Sequence, residues 1–142
     1  MAHTGRCLCG AVTLSIDGDP VGARTCWCRD CQKFGGGNGT TNAFFRADGI
    51  SHTGDLSWFD SVADSGNQTR RAFCPKCGSH VFTTGSGAVW MRLWGVRVSM
   101  LDDSDLAPPQ AVIWTDSAPA WAAPDPRLPN FPKAPPPPPP KD

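Results

Sequence analysis

The sequence predicts an all-β domain, and three observations carry that expectation. Val12, Leu14 and Ile16 alternate with Thr13 and Ser15, the two-residue period of a half-buried strand. No window sustains a helical apolar period over three turns. The 142 residues include 15 glycines and 15 prolines, which punctuate the chain into short runs.

The elements follow in chain order. Cys7-Leu8-Cys9 reads as part of a strand, where side chains two residues apart share a face, so both sulfurs point the same way. Residues 12–16 form the alternating strand, and Asp17-Gly18-Asp19-Pro20 is a turn. Residues 21–26 make the next strand. Gly35-Gly36-Gly37-Asn38-Gly39 is a loop that leads into a strand near residues 41–45. Asp48-Gly49 punctuates again, and strands follow at 56–61 and 70–73. Cys74-Pro75-Lys76-Cys77-Gly78 has the form of a zinc-knuckle turn, in which the glycine permits a tight backbone. Residues 81–84 and 88–93 read as a hairpin around Gly85-Ser86-Gly87, and residues 111–115 as a last short strand.

Beyond Pro119 the chain turns to proline, alanine and isolated aromatics, with Trp121 and Phe131 placed to pin an extended segment onto the domain. The expected organisation is one domain over residues 1–132 and a disordered proline-rich tail over 133–142. Its run at 135–140 has polyproline II character.

Composition excludes several classes. Thirteen Lys and Arg balance thirteen acidic residues, and the pI is near 6.8, so nothing marks a nucleic-acid partner. No stretch is long and apolar enough to span a bilayer, and Met-Ala-His-Thr-Gly-Arg lacks the apolar core of a signal peptide. The expected compartment is the cytoplasm, where thiols stay reduced. An odd number of cysteines, seven, then favours metal ligation over a disulfide framework.

Those cysteines come in close groups: Cys7 with Cys9, Cys74 with Cys77, and Cys26, Cys28 and Cys31 within six residues. Neighbours this close make poor disulfide partners. Zinc takes four tetrahedral ligands in a closed structural site and three plus an exchangeable position in a catalytic one. Four plus three accounts for all seven, giving two zinc ions per chain, one closed and one open. Spacing alone does not force this partition. Cys7 and Cys9 could instead join part of the middle cluster, or all seven could be structural with one left spare.

Three thiolates on a zinc leave a net charge of about −1 and acidify water weakly. A soft ligand such as an incoming thiol suits the fourth position, and metal binding lowers the pKa of that thiol. Trp27, Lys33, Gly37 and Asn38, which lie within or just after the cluster, are candidate substrate contacts. The glycine-rich loop is one whose amides can approach an anion, or else a solvated turn. Phe34, Trp58 and Trp94 are candidate pocket walls, though aromatics at strand spacing more often pack the core. His80 and Asp102-Asp103 read first as a polar strand residue and a turn.

Three segments together resemble the glutathione-dependent formaldehyde-activating enzyme family, which also includes centromere protein V. They are Gly5-Arg6-Cys7-Leu8-Cys9-Gly10-Ala11-Val12, Cys26-Trp27-Cys28-Arg29-Asp30-Cys31 and Arg71-Ala72-Phe73-Cys74-Pro75-Lys76-Cys77-Gly78. Ser99-Met100-Leu101-Asp102-Asp103 and Pro119-Ala120-Trp121 fit the same pattern, so the likeness covers roughly residues 5–132. It implies stacked short antiparallel sheets of the β-tent kind. It also implies a structural zinc at Cys7, Cys9, Cys74 and Cys77 and a catalytic zinc at Cys26, Cys28 and Cys31. The implied activity is condensation of glutathione with formaldehyde, a carbon–sulfur lyase reaction. This chain departs from the pattern at Trp27, where relatives commonly carry histidine, and at Gln110-Ala111-Val112-Ile113, where many carry a histidine before the isoleucine.

The expected function is therefore a zinc-dependent enzyme acting on a small, glutathione-like thiol and an aldehyde or other electrophile, with homodimerisation left open. The competing readings are a zinc hydrolase of a small amide or lactone, which needs a nearby general base where the sequence has no His or Glu beside the cluster, and a non-catalytic zinc-binding module.

Overall fold

The computed structural model describes residues 2–87, 89 and 91–135, so nearly all of the proline-rich run at 135–140 lies outside the described residues. Ten strands make two sheets: β1 (His3–Arg6), β2 (Thr13–Ile16), β3 (Gly22–Cys26), β4 (Thr40–Arg46), β5 (Ile50–Thr53), β6 (Ser57–Val62), β7 (Gln68–Phe73), β8 (His80–Gly85), β9 (Leu93–Arg97) and β10 (Val112–Ile113). The smaller sheet has the order β1-β2-β5 and the larger β10-β3-β4-β9-β8-β7-β6. Every pairing within the sheets is antiparallel except β10 with β3. The fold is mostly β, as the alternation predicts.

Strand alternation gives the large sheet two chemically different faces. On one face Ala23, Ala43, Val96, Phe82 and Ala72 stand opposite one another across five strands, and all are buried. The small sheet lays Leu14 and Ile16 onto this row, and Val12, Phe45, Val81 and Met100 complete the core. Phe45 and Phe82 are each 0% exposed, a burial worth roughly 1.5–3 kcal/mol per side chain. The opposite face is polar. Arg24 pairs with Asn42 and Asn42 with Arg97 in one row, Cys26 pairs with Thr40, and Thr83 pairs with Arg71. Arg71, Arg97, Asn42, Thr40 and Thr83 are buried as well, so something must satisfy them.

Four local features differ from the sequence reading. Cys7-Leu8-Cys9 is not strand: β1 ends at Arg6, and a turn follows in which the Gly10 N–H donates to the Cys7 carbonyl at 3.1 Å and the Cys7 N–H to the Val12 carbonyl at 3.0 Å. Gly10 makes the turn possible with φ +81°. The 81–84 strand lies within β8, but of its expected partner at 88–93 the described residues are turn up to Arg92, and 88 and 90 lie outside the described residues. The N–H groups of Arg92 and Leu93 instead donate to the Val89 carbonyl in a turn, and β9 starts at Leu93. Gly95 inside β9 faces Asn42 and Thr83, a close strand approach that leaves little room for a side chain. A six-residue helix, α1 (Arg29–Phe34), is present; it is too short for its period to show. β1 and β5 also lie outside the expected strands.

Candidate metal centres

The Sγ atoms of Cys7, Cys9, Cys74 and Cys77 all lie within 4.8 Å of one another. Cys7 and Cys9 sulfurs are 3.6 Å apart, and Cys9 and Cys74 sulfurs 3.8 Å. A tetrahedron of thiolates at about 2.3 Å from zinc has edges of about 3.8 Å, so the four sulfurs fit such an ion. Two similar turns present them. In the second, the Gly78 N–H donates to the Cys74 carbonyl at 2.8 Å and the Cys74 N–H to the Ser79 carbonyl at 2.9 Å, with Gly78 at φ +76°. Ser79 ties the turns together. Its hydroxyl accepts from the Leu8 N–H at 3.1 Å and lies 3.2 Å from the Cys77 sulfur. Bonds from the Ser79 hydroxyl and N–H hold the Cys77 thiol low, at about 5. Cys7 and Cys74 are buried in the core while Cys9 is exposed.

The second cluster sits at the junction of β3 and α1. Cys26 ends β3, Cys28 is the N-cap of α1, and its sulfur accepts from the Cys31 N–H at 3.3 Å. The C-x₂-C spacing is thus a helix cap as well as a ligand pair. The three sulfurs again lie within 4.8 Å of one another, and three thiolates fit a metal with one position left open. The junction is braced from behind. The Trp27 N–H donates to the Ile113 carbonyl at 3.0 Å, and buried Gln32 donates to the carbonyls of Trp27 and Ser117 at 2.7 and 2.8 Å. The Arg97 guanidinium, 3% exposed, donates to the Thr40 hydroxyl at 2.6 Å. Hydrogen bonds from Cys26, Cys28 and Thr40, with the Arg97 charge, hold Cys31 far below the thiol range, at about 2, against its burial. Hydrogen bonds to Cys28 and Cys31, with burial, push Cys26 upward.

The triad opens onto a cavity of about 150 Å³. The polar face of the large sheet supplies Arg24, Asn42, Arg71 and Thr83 to its lining, and Trp114, Ala134 and Pro135 form another wall. Asn42 Oδ1, Thr83 Oγ1 and Arg71 Nε are buried there without a hydrogen-bond partner. Unpaired polar atoms around a cavity are what a bound polar molecule would satisfy. Arg24, Arg71 and Asp64 line the cavity and Arg97 lies beside Cys31, so guanidinium groups outnumber the carboxylate and favour an anionic guest. No glutamate occurs in the chain, and no histidine lines this cavity.

The other sequence candidates lie elsewhere. Trp27 is 7% exposed, with its ring against Gly39. Lys33 and Asn38 are exposed and Gly37 is half-buried; none of the four lines the triad cavity. Phe34 lies tilted against His80, with ring centroids 4.3 Å apart, and under the Arg71 guanidinium, and Trp58 meets Trp94 edge to face. His80 is half-buried with Nδ1 unpartnered; burial, then the charges of Arg97 and Arg71, pull its imidazole down to about 4. Asp102 accepts from the Thr4 hydroxyl at 2.7 Å, and Asp103 from the Asp105 N–H at 3.0 Å. Trp121 is 67% exposed and pins nothing, whereas Phe131 is held through its backbone to Val112 and Thr115.

Sequence reading missed Arg24, Asn42, Arg71, Thr83 and Trp114. One signal was available: Arg24 lies two residues before Cys26 on the same strand face. The others depend on strand register.

The sequence model described as "Glutathione-dependent formaldehyde-activating enzyme" matches residues 2–117, a span that includes every cysteine of both clusters. The chain belongs to the glutathione-dependent formaldehyde-activating enzyme family. No curated protein matches it in sequence. A crystal structure of a Rhodobacter sphaeroides protein is similar in fold, with 21% identity, a TM-score of 0.55, and coverage of 70% of this chain and 88% of that one. In this family member, no helix among the described residues is long and apolar enough to cross a membrane.

Proposed function

We propose that this family member joins a small anionic thiol of the glutathione type to a small aldehyde, or runs that reaction backward, as a carbon–sulfur lyase. The observation that carries the reading is an open set of three thiolates facing a cavity lined by arginine and unpaired polar atoms. Cys26, Cys28 and Cys31 would hold zinc, which accepts a thiolate readily and keeps it deprotonated at neutral pH. Cys7, Cys9, Cys74 and Cys77 would hold a second, structural zinc.

The chain's own groups bind and orient the substrate. Arg24 and Arg71 attract a carboxylate, and Asn42 Oδ1 accepts from a substrate N–H. Thr83 Oγ1 is free to donate to a carbonyl or carboxylate oxygen. The chemistry balances without oxidant or reductant. The sulfur forms one bond to the carbonyl carbon, the C=O π bond breaks, and the thiol proton ends on the new hydroxyl. Hydrolysis is the second reading: Asp64 lines the cavity and could take a proton from water, but three thiolates acidify a metal-bound water weakly.

Cobalt substitution tests the reading. Glutathione should strengthen the sulfur-to-metal charge-transfer band with an affinity that rises with pH up to the thiol's own pKa, and S-methylglutathione should leave it unchanged. Equal responses to both, or none at millimolar concentration, would remove thiol ligation from the mechanism.

A further inference from the structure

One wall of the triad cavity comes from chain beyond residue 117, where the family match ends. Residues 129–133 lie along β10, joined to it by one parallel bridge between Asn130 and Val112 and by a set of backbone hydrogen bonds. The Val112 N–H donates to the Pro129 carbonyl at 2.9 Å and the Phe131 N–H to the Val112 carbonyl at 2.8 Å. The N–H groups of Trp114, Thr115 and Asp116 donate to the carbonyls of Lys133, Phe131 and Pro132, each at 3.1 Å. Pro129 and Pro132 serve only as acceptors, which is the one role a proline can take at a sheet edge.

This docking ends at Ala134 and Pro135, which line the cavity together with Trp114. Trp114 is the only non-glycine described residue with positive φ, at φ 58° and ψ 38°. A bulky residue in that conformation costs on the order of 1–2 kcal/mol and persists where the surroundings hold it. Here its N–H is held by the Lys133 carbonyl and its own carbonyl by the Ser117 N–H, each at 3.1 Å. Backbone strain, the docked segment and the cavity wall thus coincide.

We propose that residues 129–135 form a selectivity wall that, with Trp114, limits the size of the molecule reaching Cys26, Cys28 and Cys31. The inference rests on this cavity being the substrate site, and it adds that the substrate range is set by a segment outside the matched family region. A cavity of about 150 Å³ is small beside the ~300–1,000 Å³ of ordinary ligand pockets. The wall therefore admits a short thiol fully and a larger one only by its reactive end.

Cysteine labelling tests this without any substrate or turnover. Protein as purified, with equal metal content in every variant, is treated with iodoacetamide or with the much larger fluorescein maleimide, and modification is mapped by mass spectrometry. N-acetylcysteine added to the same tube serves as the internal standard for each reagent. A chain ending at Pro135 should behave like the full chain. A chain ending at Lys133 keeps every hydrogen bond named above yet loses the wall. Its triad should react roughly tenfold faster with the large reagent and change less than about twofold with the small one. In the full chain, Ala134→Trp should slow the large reagent and Ala134→Gly should speed it, which reads the wall even if the shortened chain fails to fold. Unchanged rates, or equal acceleration with both reagents, would overturn the proposal. Because labelling needs no thiol substrate, that result is distinct from a failure of the cobalt titration.

Discussion

The two cysteine clusters use the same ligand atom in opposite ways. Cys7, Cys9, Cys74 and Cys77 join two turns, with Cys9 and Cys74 separated by 65 positions, and four sulfurs fill a tetrahedron. Cys26, Cys28 and Cys31 belong to one strand-to-helix junction, and three sulfurs leave a direction open toward a cavity with arginines on its walls. The first cluster closes a long loop and puts two of its sulfurs in the core; the second closes almost none and faces the cavity. On the proposed function, coordination number and sequence span, not the identity of the ligand, separate a rivet from a reactive centre.

The largest test of this contrast pairs Cys74→Ser with Cys28→Ser. Structural zinc contributes its binding free energy to folding, about 10–16 kcal/mol in small zinc domains. Cys74→Ser should therefore yield insoluble or molten protein. Cys28→Ser should keep its circular dichroism and lose one metal ion. Equal thermal destabilisation of the two variants would erase the distinction.

Metal removal sharpens it next. Protein purified without chelator should carry two metal ions per chain, and a mild chelator should take one first while the fold persists, since the open site exchanges with solvent. A stoichiometry near one, with all seven cysteines shielded from alkylation, would leave no room for two sites.

A smaller effect probes the cavity alone. Arg24→Gln should weaken binding of a carboxylate-bearing thiol about tenfold, near 1.4 kcal/mol, while leaving 2-mercaptoethanol unaffected. Equal loss for both thiols in a cobalt titration would point to damage at the metal instead.

The smallest concerns His80, which packs between Phe34 and Phe73. Its folded-state pKa of about 4 lies below the ordinary 6.5, so the unfolded chain binds the proton first. The stability it contributes is whole above pH 6.5 and lost as pH falls toward 4. Discounted for partial exposure, the part lost between pH 7 and pH 5 is about 1 kcal/mol. In urea melts at pH 7 and pH 5, His80→Phe should lose less stability than the parent over this interval. Acid release of metal acts on both proteins, so the difference between them is the readout; a difference independent of pH would refute the assignment.

The sequence by itself determined what depends on near neighbours. Strand alternation around Leu14 and Ile16, the turn at Cys74-Pro75-Lys76-Cys77-Gly78, and three cysteines within one short segment follow from side-chain chemistry at spacings of two to four residues. The C-x-C motif defeated the strand reading because Gly10, with its positive φ, turns the chain back before the two-residue period can run. Only the tertiary structure decided which distant cysteines meet. It also decided that Arg24, Asn42, Arg71 and Thr83, from four strands, share one face, and that Ala134 and Pro135 close it. Those outcomes rest on strand register and sheet order, which couple residues tens of positions apart. A shift of one residue in any pairing would send the same side chains to the apolar face.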